Sequence, residues 1–216
     1  MPIVGTGSSQ GKTVRWKTSG TSLASGSSYT LGVPTFTNDV IVFAYTNTGG
    51  PTLTSSTTGI TWTQYKTTAG SNNPPQPTML IGVGATAGIT SIVVSGTVAA
   101  GGGYVLAVIS GRSASPVIAT SENYWSSSPG AYTGGIDLSS NVSPLVIGAT
   151  AQSGSVSLTS ASSTTGFTQI QASNNVTRSI ALFTIEEPTS PSSQQVNVSW
   201  PNNGNGGALC VGLARA

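Results

Sequence analysis

The carboxylates are the side chains of this sequence that could carry acid–base chemistry, and there are five of them. They are Asp39, Glu122, Asp137, Glu186 and Glu187. Glycoside hydrolysis needs two carboxyl groups roughly 5–9.5 Å apart. Glu186 and Glu187 are adjacent, so on a strand their side chains point to opposite faces and do not pair. We therefore expect these acids to be solvated turn residues rather than a catalytic pair.

The composition removes most other chemistries. The chain has no histidine, so a triad or metal site that depends on imidazole is excluded. A single cysteine excludes an intramolecular disulfide and a thiolate-rich zinc or iron–sulfur site. The serine- and threonine-rich tracts lack the base that would make a hydroxyl nucleophilic. The sequence predicts a protein without enzymatic activity, cofactor or metal.

Three basic residues, Lys12, Arg15 and Lys17, lie close together near the N-terminus. Strand alternation predicts Arg15 and Lys17 on one face, with Val14 and Trp16 on the other. Such a basic amphipathic strand can contact an acidic partner, or it can protect a sheet edge against aggregation. We take the three basic residues as one candidate partner-binding site.

An aromatic cluster, Tyr124, Trp125 and Tyr132, lies in the stretch ENYWSSSPGAY, which carries no clear strand pattern. We expect a loop. Large aromatic side chains of this kind anchor protein contacts or serve as a platform for a sugar. The loop can also fold back and cap one end of the fold. The cluster is the second candidate binding site.

Charge is scarce, because only 6% of the chain is charged and the formal net charge is +2. That balance gives little long-range steering, so we expect no nucleic-acid partner. No apolar stretch reaches the about 20 residues of a membrane helix, so we expect no membrane association. The N-terminal sequence has no secretory signal pattern, and we expect no export by that route.

Short apolar or alternating runs, separated by Gly, Ser, Thr, Asn and Pro clusters, recur along the chain, and helix signals are nearly absent. The predicted strands are Thr13–Lys17, Asp39–Thr46, Ile60–Lys66, Thr78–Val83, Ser91–Ser95, Tyr104–Ser110, Leu145–Ala151, Ser155–Thr159, Phe167–Gln171, Arg178–Ile185, Gln195–Trp200 and Ala208–Leu213. This spacing is typical of an antiparallel sandwich or barrel. In the last strand, alternation places Cys210 with Ala208 and Gly212, and we predict a free, buried thiol.

An internal repeat runs through these strands. DVIVFAYTNTGGPTLTSSTTGITWTQ aligns with PLVIGATAQSGSVSLTSASSTTGFTQ, and GGGYVLAVISG aligns with NGGALCVGLAR. The alignment pairs Gly59 with Gly166 and Tyr104 with Ala208. TMLIGV also aligns with SIALFT. We interpret the repeat as an internal duplication.

The repeat allows two organisations, two separate domains or one sandwich of interleaved halves. Two domains of roughly 75 residues would each have a small core, whereas one sandwich buries more surface per residue. We favour a jelly-roll-like, two-sheet β-sandwich over residues 39–216. Its repeats span 39–110 and 144–214, and a crossover spans 111–143. Residues 1–38 are expected to form an N-terminal arm or edge strands.

The twice-repeated order of an apolar strand, G-[IF]-T-x-x-Q, an apolar strand and a G-G-x-x-x-[AV] strand resembles β-sandwich proteins of tailed-bacteriophage virions. The resemblance covers roughly residues 39–214. It implies a non-enzymatic capsid cement or decoration protein that bridges capsid subunits. The implied partners are the major capsid protein or other virion proteins, and the implied assembly is a homo-oligomer. The protein would be made in the host cytoplasm and lie on the capsid surface of the virion.

Two alternatives stay open. The same resemblance also fits a phage tail or receptor-binding module with carbohydrate affinity, whose partner would be a glycan. An enzyme built on the same fold is the third possibility, because a fold alone does not exclude a function.

Overall fold

A computed structural model describes the chain over residues 14–47, 52–56, 59–66, 76–85, 88–96, 103–125, 135–136, 145–153, 168–174, 178–186, 194–195 and 206–216. Every regular element within these ranges is a β-strand, and the strands pair antiparallel. The predicted all-β antiparallel class is confirmed. The strand predicted at Ser155–Thr159 lies outside the described residues.

The first half of the chain forms two sheets from the described strands. Their bounds are β1 (Val14–Gly20), β2 (Ser28–Thr35), β3 (Val40–Asn47), β4 (Thr52–Ser55), β5 (Thr61–Lys66), β6 (Gln76–Val83), β7 (Ile89–Ser95) and β8 (Tyr104–Ile109). The central sheet has the order β1-β8-β3-β6-β5, and the front sheet has the order β2-β7-β4. The segment 1–38 thus contributes two full members of these sheets.

The second half forms a third sheet, the back sheet, in the order β12-β13-β11-β15-β9, and a short pair, β10-β14. The bounds are β9 (Arg112–Trp125), β10 (Gly135–Ile136), β11 (Leu145–Ser153), β12 (Thr168–Asn174), β13 (Arg178–Glu186), β14 (Gln194–Gln195) and β15 (Gly206–Arg215). Each sheet takes its strands from one half of the chain, so the expected interleaving is wrong. Antiparallel strands close in sequence pair locally, and each half supplies a complete five-stranded sheet.

Two apolar clusters hold the sheets together. The inner core lies between the central and back sheets and includes Val42, Ala107, Ile147 and Leu182. The outer core lies on the other face of the central sheet, against the front sheet. The central and back sheets therefore pack as a sandwich, with the front sheet as a further layer.

The position of a strand in these layers explains its sequence pattern. The strand β8 reads YVLAVI and is buried along its whole length, because the central sheet is covered on both faces. The strand β2 reads SYTLGVPT and has only two buried positions, Leu31 and Thr35. One face of the front sheet is exposed, so its strands alternate.

The central and back sheets have the same strand order when β1, β8, β3, β6 and β5 are matched with β9, β15, β11, β13 and β12. The registers also match, because β1 has a bulge between Val14 and Trp16 and β9 has one between Val117 and Ala119. A duplicated unit would produce this agreement, but the duplication itself stays a prediction. Superposing the two sheets of a crystal structure, with Tyr104 on Ala208, would test it.

The segment 111–143, predicted as a crossover, contains the 14-residue strand β9. The prediction that Tyr124 and Trp125 lie in a loop is wrong, because their backbone pairs with Gly207 and Gly206 in β15. The strand is rich in Ser and Ala and contains Pro116, which an edge strand tolerates where no ladder hydrogen bond is needed. Its order comes from pairing with β15, and its own β-propensity is weak.

Candidate functional site

The basic N-terminal strand is bound to the fold through an ion pair. The Arg15 guanidinium donates to Oδ2 of Asp39, and the Phe36 amide donates to the same oxygen at 3.0 Å. The guanidinium also lies 4.8 Å from the centroid of the Phe36 ring. Asp39 is buried, so the expectation of a solvated turn acid is wrong for this residue. Its carboxylate is balanced by the cation and fixes the turn before β3.

The bulge in β1 changes which side chains share a face. Val14 packs on the inner core and Trp16 on the outer core, so the two lie on opposite faces of the sheet. The prediction of a shared face is wrong, because one extra residue at Arg15 inverts the alternation. The Trp16 indole covers Gly32 of β2, where an added Cβ would lie 1.8 Å from the indole nitrogen. Trp16 thus joins the central sheet to the front sheet.

At one edge of the sandwich β1 contacts β12, and we call this contact the closed seam. Three side chains donate hydrogen bonds across it: Lys17 Nζ to the Ile170 carbonyl, Gln171 Nε2 to Ser19 Oγ (3.0 Å) and Ser173 Oγ to the Gly20 carbonyl. Arg15 and Lys17, predicted as a partner-binding pair, are therefore both engaged within the chain. Lys12 lies outside the described residues.

At the opposite edge, β5 and β9 border an open groove of about 410 Å³. It is lined by residues 64–66 of β5, residues 120–122 of β9 and Leu209. Gln64 is held by the fold, because its Nε2 donates to the Tyr45 hydroxyl at 2.8 Å. Tyr45 is buried, and burial raises its pKa to about 12. Sequence reasoning missed this groove, because the β9 residues were assigned to a crossover.

The groove lies where a second seam would be expected. Glu122 is opposite Leu209 in the back sheet, as Ser19 is opposite Val105 in the central sheet. These positions correspond when the two sheets are matched through the sequence repeat. Three hydrogen bonds close the first edge, and a groove opens at the second.

The two predicted binding sites do not come together. Arg15 and Lys17 lie on β1, whereas Tyr124 and Trp125 lie at the end of β9, at the opposite edge of the sandwich. Trp125 is three residues beyond Glu122 of the groove. Tyr132 lies outside the described residues.

The thiol of Cys210 is free and buried, as predicted from the apolar run around it. Burial raises its pKa to about 12. The thiol is therefore protonated at neutral pH, and a protonated thiol is a poor nucleophile. It serves as a small apolar side chain.

An aromatic cluster fills part of the outer core. The Phe43 ring stacks on Tyr104 with the centroids 5.7 Å apart, and Tyr29 lies 4.8 Å from Tyr104. Burial raises the pKa of Tyr29 to about 12, and the neighbouring Tyr104 hydroxyl adds to the increase. These rings bind the central sheet to the front sheet.

In the described part of the chain, no group of three or more His, Cys, Asp or Glu is placed to hold a metal ion. The same residues include no helix long and apolar enough to cross a membrane. Comparison with protein-family models, curated proteins and solved structures finds no match for this chain.

Proposed function

We propose that this chain is a non-enzymatic structural protein of a bacteriophage particle, a cement or decoration protein that stabilises the capsid by bridging its subunits. The observation that carries the proposal is how the fold uses its reactive side chains. Arg15, Asp39 and Lys17 fasten β1 to the sandwich, and Cys210 is a buried, protonated thiol. These four side chains are of types that often carry chemistry in enzymes, and in this fold they serve ion pairing, hydrogen bonding and packing.

The surface chemistry supports contacts with fixed neighbours. A chain with 6% charged residues offers mainly hydroxyl, amide and backbone groups. Such groups bind at short range and give little long-range electrostatic attraction. On a lattice, each copy that bridges two subunits gains avidity from many modest contacts. The partners would be the major capsid protein or other virion proteins.

The stacked sheets support a bridging role. The inner core links residues from both halves of the chain, so the central and back sheets behave as one packed unit. A bridging protein must hold two contact surfaces at a fixed separation, and a close-packed core resists deformation. Residues 1–13, with Lys12, and the end of β9, with Tyr124 and Trp125, are the proposed contact regions.

Adding the purified chain to capsid shells that lack it tests the proposal. We expect saturable binding and a higher temperature of shell disruption, followed by light scattering. A heat-unfolded sample of the chain is the control. If the parent chain leaves shells unchanged but binds purified phage tails or host glycans, the alternative of a tail or receptor-binding module replaces the proposal.

A further inference from the structure

The open groove is formed by particular side chains at a defined position of the fold. Tyr65 is opposite Met79 in the central sheet, and Gln171 is opposite Leu182 in the back sheet. Met79 and Leu182 correspond because they pair with Ala44 and Ala149, which the sequence repeat aligns. Gln171 Nε2 donates to Ser19 Oγ at 3.0 Å and helps to close its edge. At the matching position of the other edge, the larger Tyr65 lines the groove.

The side chains in the groove share the space between two facing sheets. Met79 belongs to the inner core, so its neighbour Tyr65 lies on the inner face of the central sheet. Thr120 and Glu122 are opposite Val211 and Leu209, which also belong to the inner core. Both residues therefore lie on the inner face of the back sheet. Tyr65 faces a hydroxyl and a carboxylate across the groove.

The groove combines an apolar surface with a polar rim. Leu209 is buried, and Tyr65 is half-buried and packs on the inner core. Thr120 supplies a hydroxyl oxygen and Glu122 supplies carboxylate oxygens. A pyranose has the complementary character, with an apolar C–H face and a rim of hydroxyls. The volume of about 410 Å³ falls within the roughly 300–1,000 Å³ of small-molecule sites.

Charge and backbone chemistry narrow the choice of ligand. Lys66 and Glu122 bring one positive and one negative charge to the groove, so a phosphate or an acidic peptide meets repulsion as well as attraction. Among the described strands β9 lies at the edge of its sheet. Pro116 and the bulge near Ile118 interrupt this edge, and such features disfavour the addition of a partner strand. We propose that the open groove binds a neutral saccharide of one or two pyranose units.

Chemical-shift mapping of the ¹⁵N-labelled chain tests this proposal. The probes are maltose, cellobiose, lactose and N,N′-diacetylchitobiose, with inorganic phosphate as the charged control. We expect at least one disaccharide to shift the amides of residues 64–66 and 120–122, with a dissociation constant of about 1–10 mM. Phosphate should leave these amides unchanged.

Matched variants test whether the ring of Tyr65 contributes to saccharide binding and not only to folding. Tyr65→Leu should weaken binding of the responding disaccharide about 10-fold or more, and Tyr65→Phe, which keeps the ring, should stay close to the parent. Glu122→Ala, at an exposed position, should also weaken binding. The control is Ser19→Ala, the matching position in the closed seam, and it should bind as the parent does.

Three results would overturn the proposal. The first would be that none of the four disaccharides shifts the groove amides, or that the shifts fall elsewhere in the chain. The second would be that the folded variants Tyr65→Leu and Glu122→Ala both bind the disaccharide as the parent does. The third would be that the groove amides shift on dilution without any saccharide, which would place a second copy of the chain in the groove. Shell binding is measured separately, so this proposal and the proposed function can fail independently.

Discussion

Tyr65 and Gln171 occupy corresponding register positions at opposite edges of the sandwich. Their neighbours Met79 and Leu182 pair with Ala44 and Ala149, which the sequence repeat aligns. Gln171 Nε2 donates to Ser19 Oγ of the facing sheet at 3.0 Å, whereas Tyr65 borders an open groove. Two sheets with the same strand order therefore differ at their outer edges. Side-chain size and hydrogen bonding account for the difference.

The ion pair of Arg15 with Asp39 should stabilise the fold. Asp39→Ala leaves the guanidinium and the Phe36 amide without their shared acceptor. Because Asp39 is buried and Arg15 only partly so, we expect a loss of about 2 kcal/mol in the free energy of unfolding. Urea denaturation measures it, with the substitution Ser25→Ala at an exposed position as control. An Asp39→Ala variant as stable as that control would contradict the assignment.

The contact of Trp16 with Gly32 predicts an overpacking effect. In Gly32→Ala the new methyl group would lie 1.8 Å from the indole nitrogen, so the ring must move. We expect a loss of about 1–3 kcal/mol in the free energy of unfolding. The same substitution in a Trp16→Leu background should have a much smaller effect. Equal losses in both backgrounds, measured by thermal denaturation, would show that the indole does not cover Gly32.

Buried neutral groups predict a loss of stability at alkaline pH. Burial raises the pKa of Cys210 from 9.0 and of Tyr45 from 10.0, in both cases to about 12. The unfolded chain ionises first as the pH rises, so the stabilisation is complete below about pH 9 and is lost towards pH 12. Unfolding in urea at pH 8 to 11 measures this loss.

The contribution of Cys210 to this pH dependence of stability can be measured separately. Cys210→Ala should flatten the pH dependence between about pH 8.5 and 9.5, where the tyrosines are still mostly protonated in both states. The native thiol should react slowly with a thiol reagent and fast in denaturant. A fast native reaction, or a covalent dimer on a non-reducing gel, would refute burial of Cys210.

The strands that were predicted from the sequence are those made mostly of apolar residues, which are buried in the fold. β3, β8, β11 and β15 were placed close to their observed bounds because they are apolar runs that are buried along most of their length. The short strand β4 was missed, as were β2 and β9. Their Gly, Pro and Ser residues resemble loops, and these strands are ordered by distant partners, β7 and β15.

The binding residues were harder to predict than the strands. The alternation that grouped Val14 with Trp16 failed because of a bulge, and a one-residue shift exchanges the two faces of a strand. The open groove needs β5 and β9 side by side, although they are far apart in sequence. Single residues such as Tyr65 and Glu122 gave no local signal of that contact.

The proposed contact regions predict separable effects on particle binding. Because β1 begins at Val14, deleting residues 1–13 should leave the sandwich folded and weaken binding to shells. Trp125→Ala should weaken self-association or particle binding through loss of an aromatic anchor. Far-ultraviolet circular dichroism checks the fold and co-sedimentation checks binding, with Ser19→Ala as the folded control. If both variants bind shells as the parent does, the assignment of the contact regions is wrong.

The proposed capsid cement function is tested most directly by finding whether the chain is part of a phage particle and in which component it lies. Virions produced from the genome that encodes this sequence would be separated into capsid shells and tails, and the chain would be quantified by mass spectrometry in each fraction. The proposal predicts that the chain sediments with the shells, in a fixed ratio to the major capsid protein. Its presence in the tail fraction alone, or in neither fraction, would contradict a capsid cement function.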